Sequence, residues 1–500
     1  MLTKSHLASF RQCPRKLWLE QHAPDKADPG DATNWRRARD GNIVGEKARE
    51  ALGPDIVWGT VDPTRPAVEV TLTRDGLSAR ADALIPTASG YVLQETKAST
   101  LRDAPKEHHL DDIAIQMWVM AASNLPLARA ELNLLDNQWR YPGGGDYRGL
   151  FRQLRVDDEI AERVALVPQW LAAAQQVLAA DMPAVHTGKQ CEKPYACPFF
   201  NHCSALDPPG PEHPLELLPG SGKRVAAKLH ETKGYTSLLE PSPEEFTGKN
   251  AALYQRMQRA HRTGQAVLEA PPCALVDLPW PRYYLDFEGI DLPVPHWVGV
   301  RPYEQIPFQW SCHIEHAGEN AGPGAFEHRE FLDLSGEDPS VPCIAALLQA
   351  IPPEGDGPIF VYSIAYERTA LKGLAERHPE HAADLTRLID RLVDLRPLVE
   401  ASYYHPAMRG SFSIKQVLRS IAPELDHASL GGVTDGTAAQ VAYLYACFDP
   451  ATTAEKKEAY RRELLRYCER DTWAMVVVAW HLLGKGLTVH ASPSASGSGL

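Results

Sequence analysis

Tyr91-Val92-Leu93-Gln94-Glu95-Thr96-Lys97 reads as a β-strand whose two-residue period puts Glu95 and Lys97 on one face. Upstream, Leu77-Ser78-Ala79-Arg80-Ala81-Asp82-Ala83-Leu84 reads as a second strand, and the turn-rich Pro86-Thr87-Ala88-Ser89-Gly90 joins the two. Folding about Ala88 and Ser89 brings Asp82 beside Glu95. Two carboxylates around a magnesium ion, with Lys97 positioning water or offsetting phosphate charge, make a workable centre for phosphodiester hydrolysis. An isolated E-x-K also describes a surface ion pair. The position of Asp82 and the cysteines around it favour the site.

Working outward, residues 1 to 205 open with an amphipathic helix from Leu7 to Gln21. Short strands follow, then a helix from Asp111 to Ala122 and another that ends at Ala180, the pattern of an α/β domain. Cys191, Cys197 and Cys203 fall at C-x5-C-x5-C, and Cys13 in Phe10-Arg11-Gln12-Cys13-Pro14-Arg15-Lys16-Leu17-Trp18 can supply a fourth thiolate. Nine cysteines without an export signal point to a metal group rather than to disulfides. Four thiolates suit an iron–sulfur cluster or zinc. Zinc ligands usually arrive as two close pairs, so the cluster is the preferred reading. Joining Cys13 to Cys203 would tie the two ends of the domain together, which is a structural role.

These residues resemble PD-(D/E)xK nucleases of the RecB type over residues 1 to about 205. The nearest likeness is the iron–sulfur branch, which includes the CRISPR adaptation nucleases and the nuclease of bacterial end-processing helicases. The resemblance implies a 4Fe-4S cluster on Cys13, Cys191, Cys197 and Cys203 and a Mg2+ or Mn2+ centre built from Asp82, Glu95 and Lys97. It also implies a role for Gln116 in Ile113-Ala114-Ile115-Gln116-Met117-Trp118. Where this branch commonly has a metal-binding histidine, the nearest substitute is Glu46, either an oxygen ligand or a solvated helix glutamate. Met120 stands where a tyrosine often follows Gln116. His108-His109 and Asp111-Asp112 read as surface residues or, at most, substrate contacts.

Residues 206–280 begin with Asp207-Pro208-Pro209-Gly210-Pro211 and read as a linker with a small helical module. Within it, Leu218-Pro219-Gly220-Ser221-Gly222-Lys223-Arg224 could offer backbone amides to a phosphate, but its spacing is not that of a Walker loop.

A second α/β domain spans residues 281–484. In Tyr284-Leu285-Asp286-Phe287-Glu288-Gly289, Asp286 and Glu288 share one strand face. Tyr467 and Asp471, four apart on a helix, share another face. Asp286, Glu288 and Asp471 could hold two magnesium ions about 4 Å apart, with Tyr467 orienting the water. Glu367 is the candidate fourth carboxylate, or else an exposed glutamate favoured by the helix dipole. The set resembles the DEDD exonucleases of the RNase H-like fold, in the variant whose last motif is Y-x3-D. Those enzymes usually have aspartate at the position of Glu367. Asp394 resembles a further position of theirs, or is a helix cap, and Ser413-Ile414-Lys415 reads as a helix start near substrate. The fusion of the two domains resembles an uncharacterised bacterial family with that architecture.

The 44% hydrophobic and 23% charged composition is that of a soluble globular protein. A formal net charge of -13 excludes a chain that coats nucleic acid through bulk electrostatics. Lys4, Arg11, Arg15, Lys16, Arg36, Arg37 and Arg39 form a local basic patch, which either tracks a phosphate backbone or is a solvated helix face. With neither a signal peptide nor a membrane-spanning run, the expected location is cytoplasmic, without a membrane partner. The tail, residues 485–500, is expected to be disordered. The function expected from all this is a metal-dependent nuclease acting at DNA ends, single-stranded DNA favoured, with the second centre cutting from 3′ ends. Repair, recombination or mobile-element defence is the expected setting, with a helicase or CRISPR/defence proteins as partners. The alternatives are a single-strand-binding protein in which only the C-terminal centre is active, and an RNA exonuclease.

Overall fold

The computed structural model describes residues 1–100, 104–270, 275, 278–318, 325–426 and 430–485. The expected disordered tail lies outside them, apart from Lys485. The chain divides into two compact units, residues 1–208 with 291–304, and residues 209–290 with those from 305 onward.

The first unit runs β1 (Leu2–Thr3), α1 (Lys4–Gln12), α2 (Pro14–His22), α3 (Ala32–Ala51), β2 (Val57–Trp58), β3 (Ala67–Arg74), β4 (Leu77–Thr87) and β5 (Gly90–Thr100). It continues with α4 (Glu107–Ala121), β6 (Leu127–Leu135), β7 (Phe151–Arg155), α5 (Asp157–Ala179) and α6 (Phe200–Leu206). The sheet order is β2-β3-β4-β5-β6-β7, with β1 pairing β4. β4 and β5 are antiparallel with Ala83 opposite Gln94, a register that sets Asp82 across from Glu95. α4 is the crossover between the parallel β5 and β6, and it packs Ile113, Ala114 and Met120 on Leu84, Leu93 and Leu132.

The single helix expected from Leu7 to Gln21 is broken in two at Cys13, which is extended at φ -163 and ψ 123. Pro14 is the cause, because its ring disfavours helical geometry in the preceding residue and it has no N–H to continue the ladder. Gly90 opens β5 at φ +131, and a Cβ there would lie 2.2 Å from the Pro126 carbonyl oxygen, backbone that cannot yield. Gly90→Ala is therefore expected to destabilise this unit by roughly 2 kcal/mol or more. A thermal midpoint unchanged from wild type would contradict the close approach.

Residues 291–304, read in sequence as part of the second domain, pack in the first unit. Val294 shares a small core with Val44, Leu135 and Leu150. Tyr303 Oη donates to the Ala98 carbonyl at 2.7 Å, and the Tyr141 N–H donates to the Val300 carbonyl at 3.0 Å.

The second unit comprises α7 (Gly222–Lys233), α8 (Ala251–Thr263), β8 (Val267–Leu268), β9 (Arg282–Asp291), β10 (Gln305–Glu315), β11 (Phe326–Leu332), α9 (Ser340–Ala350) and β12 (Ile359–Val361). Then come α10 (Ala365–Arg377), α11 (Ala382–Asp390), β13 (Leu392–Asp394), α12 (Leu395–Ser402), β14 (Tyr403–Tyr404), α13 (Ile414–Ile421), α14 (Gly436–Phe448) and α15 (Ala454–Leu482). Five strands line up as β11-β10-β9-β12-β13, with β12 parallel to both β9 and β13. The stretch expected as a linker and helical module belongs to this unit's core: Leu218, Tyr254 and Met257 pack in one cluster with Leu395, Tyr403 and Trp480. No helix among the described residues is long and apolar enough to cross a membrane.

Two candidate carboxylate centres

In the second unit, Asp286 and Glu288 project from β9 and Asp471 from α15, and each offers a carboxylate oxygen within 4.8 Å of the other two. Three acidic groups converge although they start 183 residues apart in the chain, Glu288 to Asp471. β10 holds α15 in place: Gln309 Nε2 donates to the Leu464 carbonyl at 2.8 Å, and Thr472 Oγ1 lies 2.8 Å from both Ser311 Oγ and His313 Nδ1. The glycine after Glu288 is required, since a Cβ at Gly289 would lie 2.8 Å from Tyr366 Oη.

Glu367 is buried at 2% exposure in the first turn of α10, so the exposed-helix alternative for it is set aside. Its Oε2 has no hydrogen-bond partner among the described residues, and it lies outside the group of Asp286, Glu288 and Asp471 whose oxygens meet within 4.8 Å. Asp394 acts as a cap, and at two helix starts. It accepts from the Arg396 N–H of α12 at 2.9 Å, and it receives the Ser363 and Ile364 N–H groups, at 3.0 and 3.1 Å, where α10 begins. That clamp holds Ser363 at φ +70 and aims Glu367 inward.

Burial and the neighbouring charges of Asp471, Glu288 and Glu367 raise the Asp286 carboxyl well above its usual range. Glu288 is pushed up to about 8 by burial and Asp471, with Lys415 opposing. Glu367 also rises to about 8, mainly through burial. Tyr467 is raised by burial and by Asp471, to which its phenol is hydrogen-bonded.

Three partners here were not singled out as such from sequence. Cys468 Sγ donates to Asp286 Oδ2 at 3.6 Å. Lys415 lies 5.2 Å over the Tyr467 ring and donates to the Thr434 carbonyl at 2.7 Å. A Cβ at Gly436, the first residue of α14, would lie 3.6 Å from Glu288 Oε2, so that helix start closes over the group.

Raised carboxyl pKa values mean that the folded chain holds protons which the unfolded chain releases. The stability contributed by Glu288 and Glu367 is full below the unfolded value of 4.5 and is lost as the pH climbs toward about 8. In EDTA the calorimetric midpoint of this unit should fall over that window, and Mg2+ should raise it more at the alkaline end than at the acid end. A midpoint indifferent to metal at both ends would remove the electrostatic account.

In the first unit, Asp82 Oδ2 accepts from the Thr96 N–H at 2.8 Å, and both Asp82 and Glu95 line a cleft of about 420 Å³ with the exposed Glu46 of α3. Glu95 Oε1 accepts from Lys97 Nζ at 2.7 Å and Lys4 Nζ at 2.8 Å, while Gln116 Nε2 reaches Oε2 at 2.5 Å. Asp112 accepts from both lysines. Burial disfavours the Glu95 carboxylate, but the charges of Lys4 and Lys97 outweigh it and hold the group below its usual range. Asp82, pushed by burial and by Glu95, rises to about 7. The sequence reading of Asp112 and His109 as surface residues is corrected here: Asp112 is an inner partner, and His109 is buried, with burial lowering it to about 3. Met120 is a core residue.

The four candidate cysteines gather at one corner. Cys13 marks the α1–α2 break, Cys203 lies on α6, and the Cys197 N–H donates to the Cys191 carbonyl at 2.8 Å. Gln12 Nε2 fastens the helix corner to the Gln190 and Tyr195 carbonyls at 2.8 and 2.7 Å. Burial raises the Cys197 and Cys203 thiols, and each also feels the charges of Cys191 and Cys13.

Residues 283–413 match a family described as "Domain of unknown function (DUF2779)", a span that includes Asp286, Glu288, Glu367 and Asp394 and ends before Tyr467 and Asp471. No curated protein matches the chain. Among solved structures, a chain described as "Crystal structure of SSO0001" is similar at 15% identity, covering 41% of this chain and 87% of that chain with a TM-score of 0.25.

Proposed function

We propose that this protein is a metal-dependent nuclease that hydrolyses phosphodiester bonds at nucleic-acid ends, single-stranded DNA above all, with one centre in each unit. The convergence of Asp286, Glu288 and Asp471 within 4.8 Å carries this reading. Carboxylates brought so close in a buried site can all ionise only with a compensating cation. When bound, Mg2+ or Mn2+ supplies the Lewis acidity that activates water and stabilises the leaving oxygen.

The chain's own residues do the rest. Asp286, Glu288 and Asp471 bind the ions, Glu367 stands as the fourth carboxylate, and Tyr467 orients the attacking water. Lys415 offsets phosphate charge beside Tyr467. On this reading the second unit is an RNase H-like DEDD exonuclease cutting from 3′ ends, and the mixed sheet order β11-β10-β9-β12-β13 supports it.

The first unit is read as a RecB-type PD-(D/E)xK nuclease. Asp82 and Glu95, with Glu46 facing the same cleft, bind the metal, and Lys97 positions water or phosphate. Lys4 and Gln116 steady Glu95. The four thiols hold a 4Fe-4S cluster. Zinc would need sulfurs about 3.8 Å apart for bonds of about 2.3 Å, whereas the acidic trio is the one group among the described residues with three ligand atoms within 4.8 Å. No three of the four thiols stand that close, which disfavours zinc.

A second reading, in which the first unit only grips single strands, is favoured by one observation: both Glu95 oxygens already accept from side chains. Digestion of end-labelled single-stranded DNA and RNA by wild type, Lys97→Ala, Asp286→Ala and the double variant separates the two. Cleavage surviving in each single variant and lost in the double supports two centres. Loss in Asp286→Ala alone supports the second reading, and no digestion with any divalent metal would sink the nuclease proposal.

A further inference from the structure

The cleft over Asp82 and Glu95 is roofed by α3, and one face of that helix is built in an unusual way. Arg37, Gly41, Gly45 and Arg49 follow each other at four-residue spacing, so each neighbours the next along a row that turns about 40° per step around the helix. Gly41 and Gly45 line the cleft opposite the two carboxylates. At Gly41 an added Cβ would meet nothing within 4 Å, and at Gly45 it would meet only the Arg49 guanidinium, at 3.4 Å. The helix therefore leaves open space where the scissile group would lie.

At each end of this glycine gap an arginine lies on an aromatic ring. Arg49 is 5.4 Å from the Trp58 ring centre, and Arg37 is 4.8 Å from that of Tyr195. Both rings face solvent, Trp58 at 58% exposure and Tyr195 at 40%. Neither needs exposure for packing, and a tryptophan that exposed forfeits burial that a core site would provide. Twelve residues of helix set the two arginines about 18 Å apart. Across the sheet, Trp58 pairs with Val68, Val68 with Ala83, and Ala83 with Gln94, so Trp58 lies three strands, about 14 Å, from the strand of Glu95.

We propose that this face of α3 is a track for a short single-stranded stretch of nucleic acid, with Trp58 and Tyr195 stacking on bases either side of the nucleotide held over Asp82 and Glu95. Stacking needs unpaired bases, because those of a duplex are already stacked on each other. It is also the form of affinity open to a chain of net charge -13, which gains little from bulk counterion release. Arg37 and Arg49 hold the rings in place, and Arg49 is itself anchored by an ion pair with Glu69 at 3.0 Å. The inference deepens the reading of the first unit as a hydrolytic centre and rests on it for the direction of the strand over the carboxylates.

The test is fluorescence anisotropy of a labelled oligothymidylate and of a blunt duplex with the full-length protein in EDTA, alongside Lys97-dependent cleavage in Mg2+. Trp58→Ala and Tyr195→Ala should each weaken single-strand binding about tenfold. Trp58→Phe should stay within about threefold of wild type, with duplex affinity and thermal midpoints unchanged. Alanine variants that bind single strands like wild type, or wild type that binds none, overturn the track. If both alanine variants lose affinity while cleavage ignores Lys97, the track stands and the hydrolytic reading of the first unit fails. If cleavage depends on Lys97 and affinity ignores both rings, the track alone fails.

Discussion

Asp286→Asn is expected to slow nucleic-acid hydrolysis at the second centre by about 10³-fold or more, while raising the thermal midpoint of the metal-free protein above pH 7. The two effects have opposite signs for one reason. Asp286 shares its space with Glu288, Asp471 and Glu367, and burial together with their charges holds its carboxyl far above the usual range. An amide of the same shape removes one member of a mutually repelling set, so the folded state gains where the carboxyls would otherwise be forced to ionise. The same exchange removes a hard anionic oxygen from the trio that would bind the cation, and a loss of about 4 kcal/mol of transition-state stabilisation corresponds to the stated rate. Lower activity accompanied by a lower midpoint would mean that the variant had merely unfolded. Unaltered activity would remove Asp286 from the chemistry.

That double outcome depends on a cluster whose parts were unequally legible in the sequence. The pairing of Asp286 with Glu288 follows from the period of two in β9, and the pairing of Tyr467 with Asp471 from the four-residue spacing on α15, because each is a property of one element. Asp82 facing Glu95 was readable for the same reason, since a short turn fixes the register between β4 and β5. Lys4 was visible only as part of a basic patch, and Asp112 only as one of two adjacent acids on a helix. Their meeting at Glu95 and Lys97 requires α1 and α4 to pack at the same place, which no local pattern encodes. The burial of Glu367 had the same obstacle: it depends on Asp394, 27 residues further on, capping the turn before α10.

Longer-range assembly was read least well. The helix break at Cys13-Pro14 was available from the proline alone, yet the apolar periodicity on either side of it suggested one continuous helix. Residues 206–280, rich in proline and short helices, looked like a connector; only the packing of Tyr254 and Met257 with Tyr403 and Trp480 reveals a core. The passage of residues 291–304 into the first unit had no sequence signal at all. It is held by Val294 packing on Val44, Leu135 and Leu150 and by hydrogen bonds to the Ala98 and Val300 carbonyls, contacts whose partners lie far away in the chain.

The corner where Cys13 meets Cys191, Cys197 and Cys203 leads to the second large expected effect. If the four thiols hold the proposed cluster, Cys197→Ser should release iron and sulfide and lower the midpoint of the first unit by roughly 10 °C or more, because a structural metal group contributes its binding free energy to folding. Cys197 is half-buried, and its replacement removes a thiolate donor but little packing, so lost hydrophobic contact does not account for a shift of that size. Cys447→Ser in the second unit is the matched control, a half-buried cysteine remote in sequence from the four, and it should leave metal content untouched. Gln12, bonded to the Gln190 and Tyr195 carbonyls, joins the helix corner to the cysteine segment without the cluster, so the variant should keep residual structure there rather than unfold outright. Tyr195 also belongs to the proposed track, and loss of the cluster should therefore weaken single-strand binding along with stability. Elemental analysis decides the chemistry: iron with sulfide supports the cluster, and zinc in their place keeps the tether but changes the group. A wild-type protein free of both metals, with the midpoint of Cys197→Ser, would leave the four thiols as buried cysteines and nothing more.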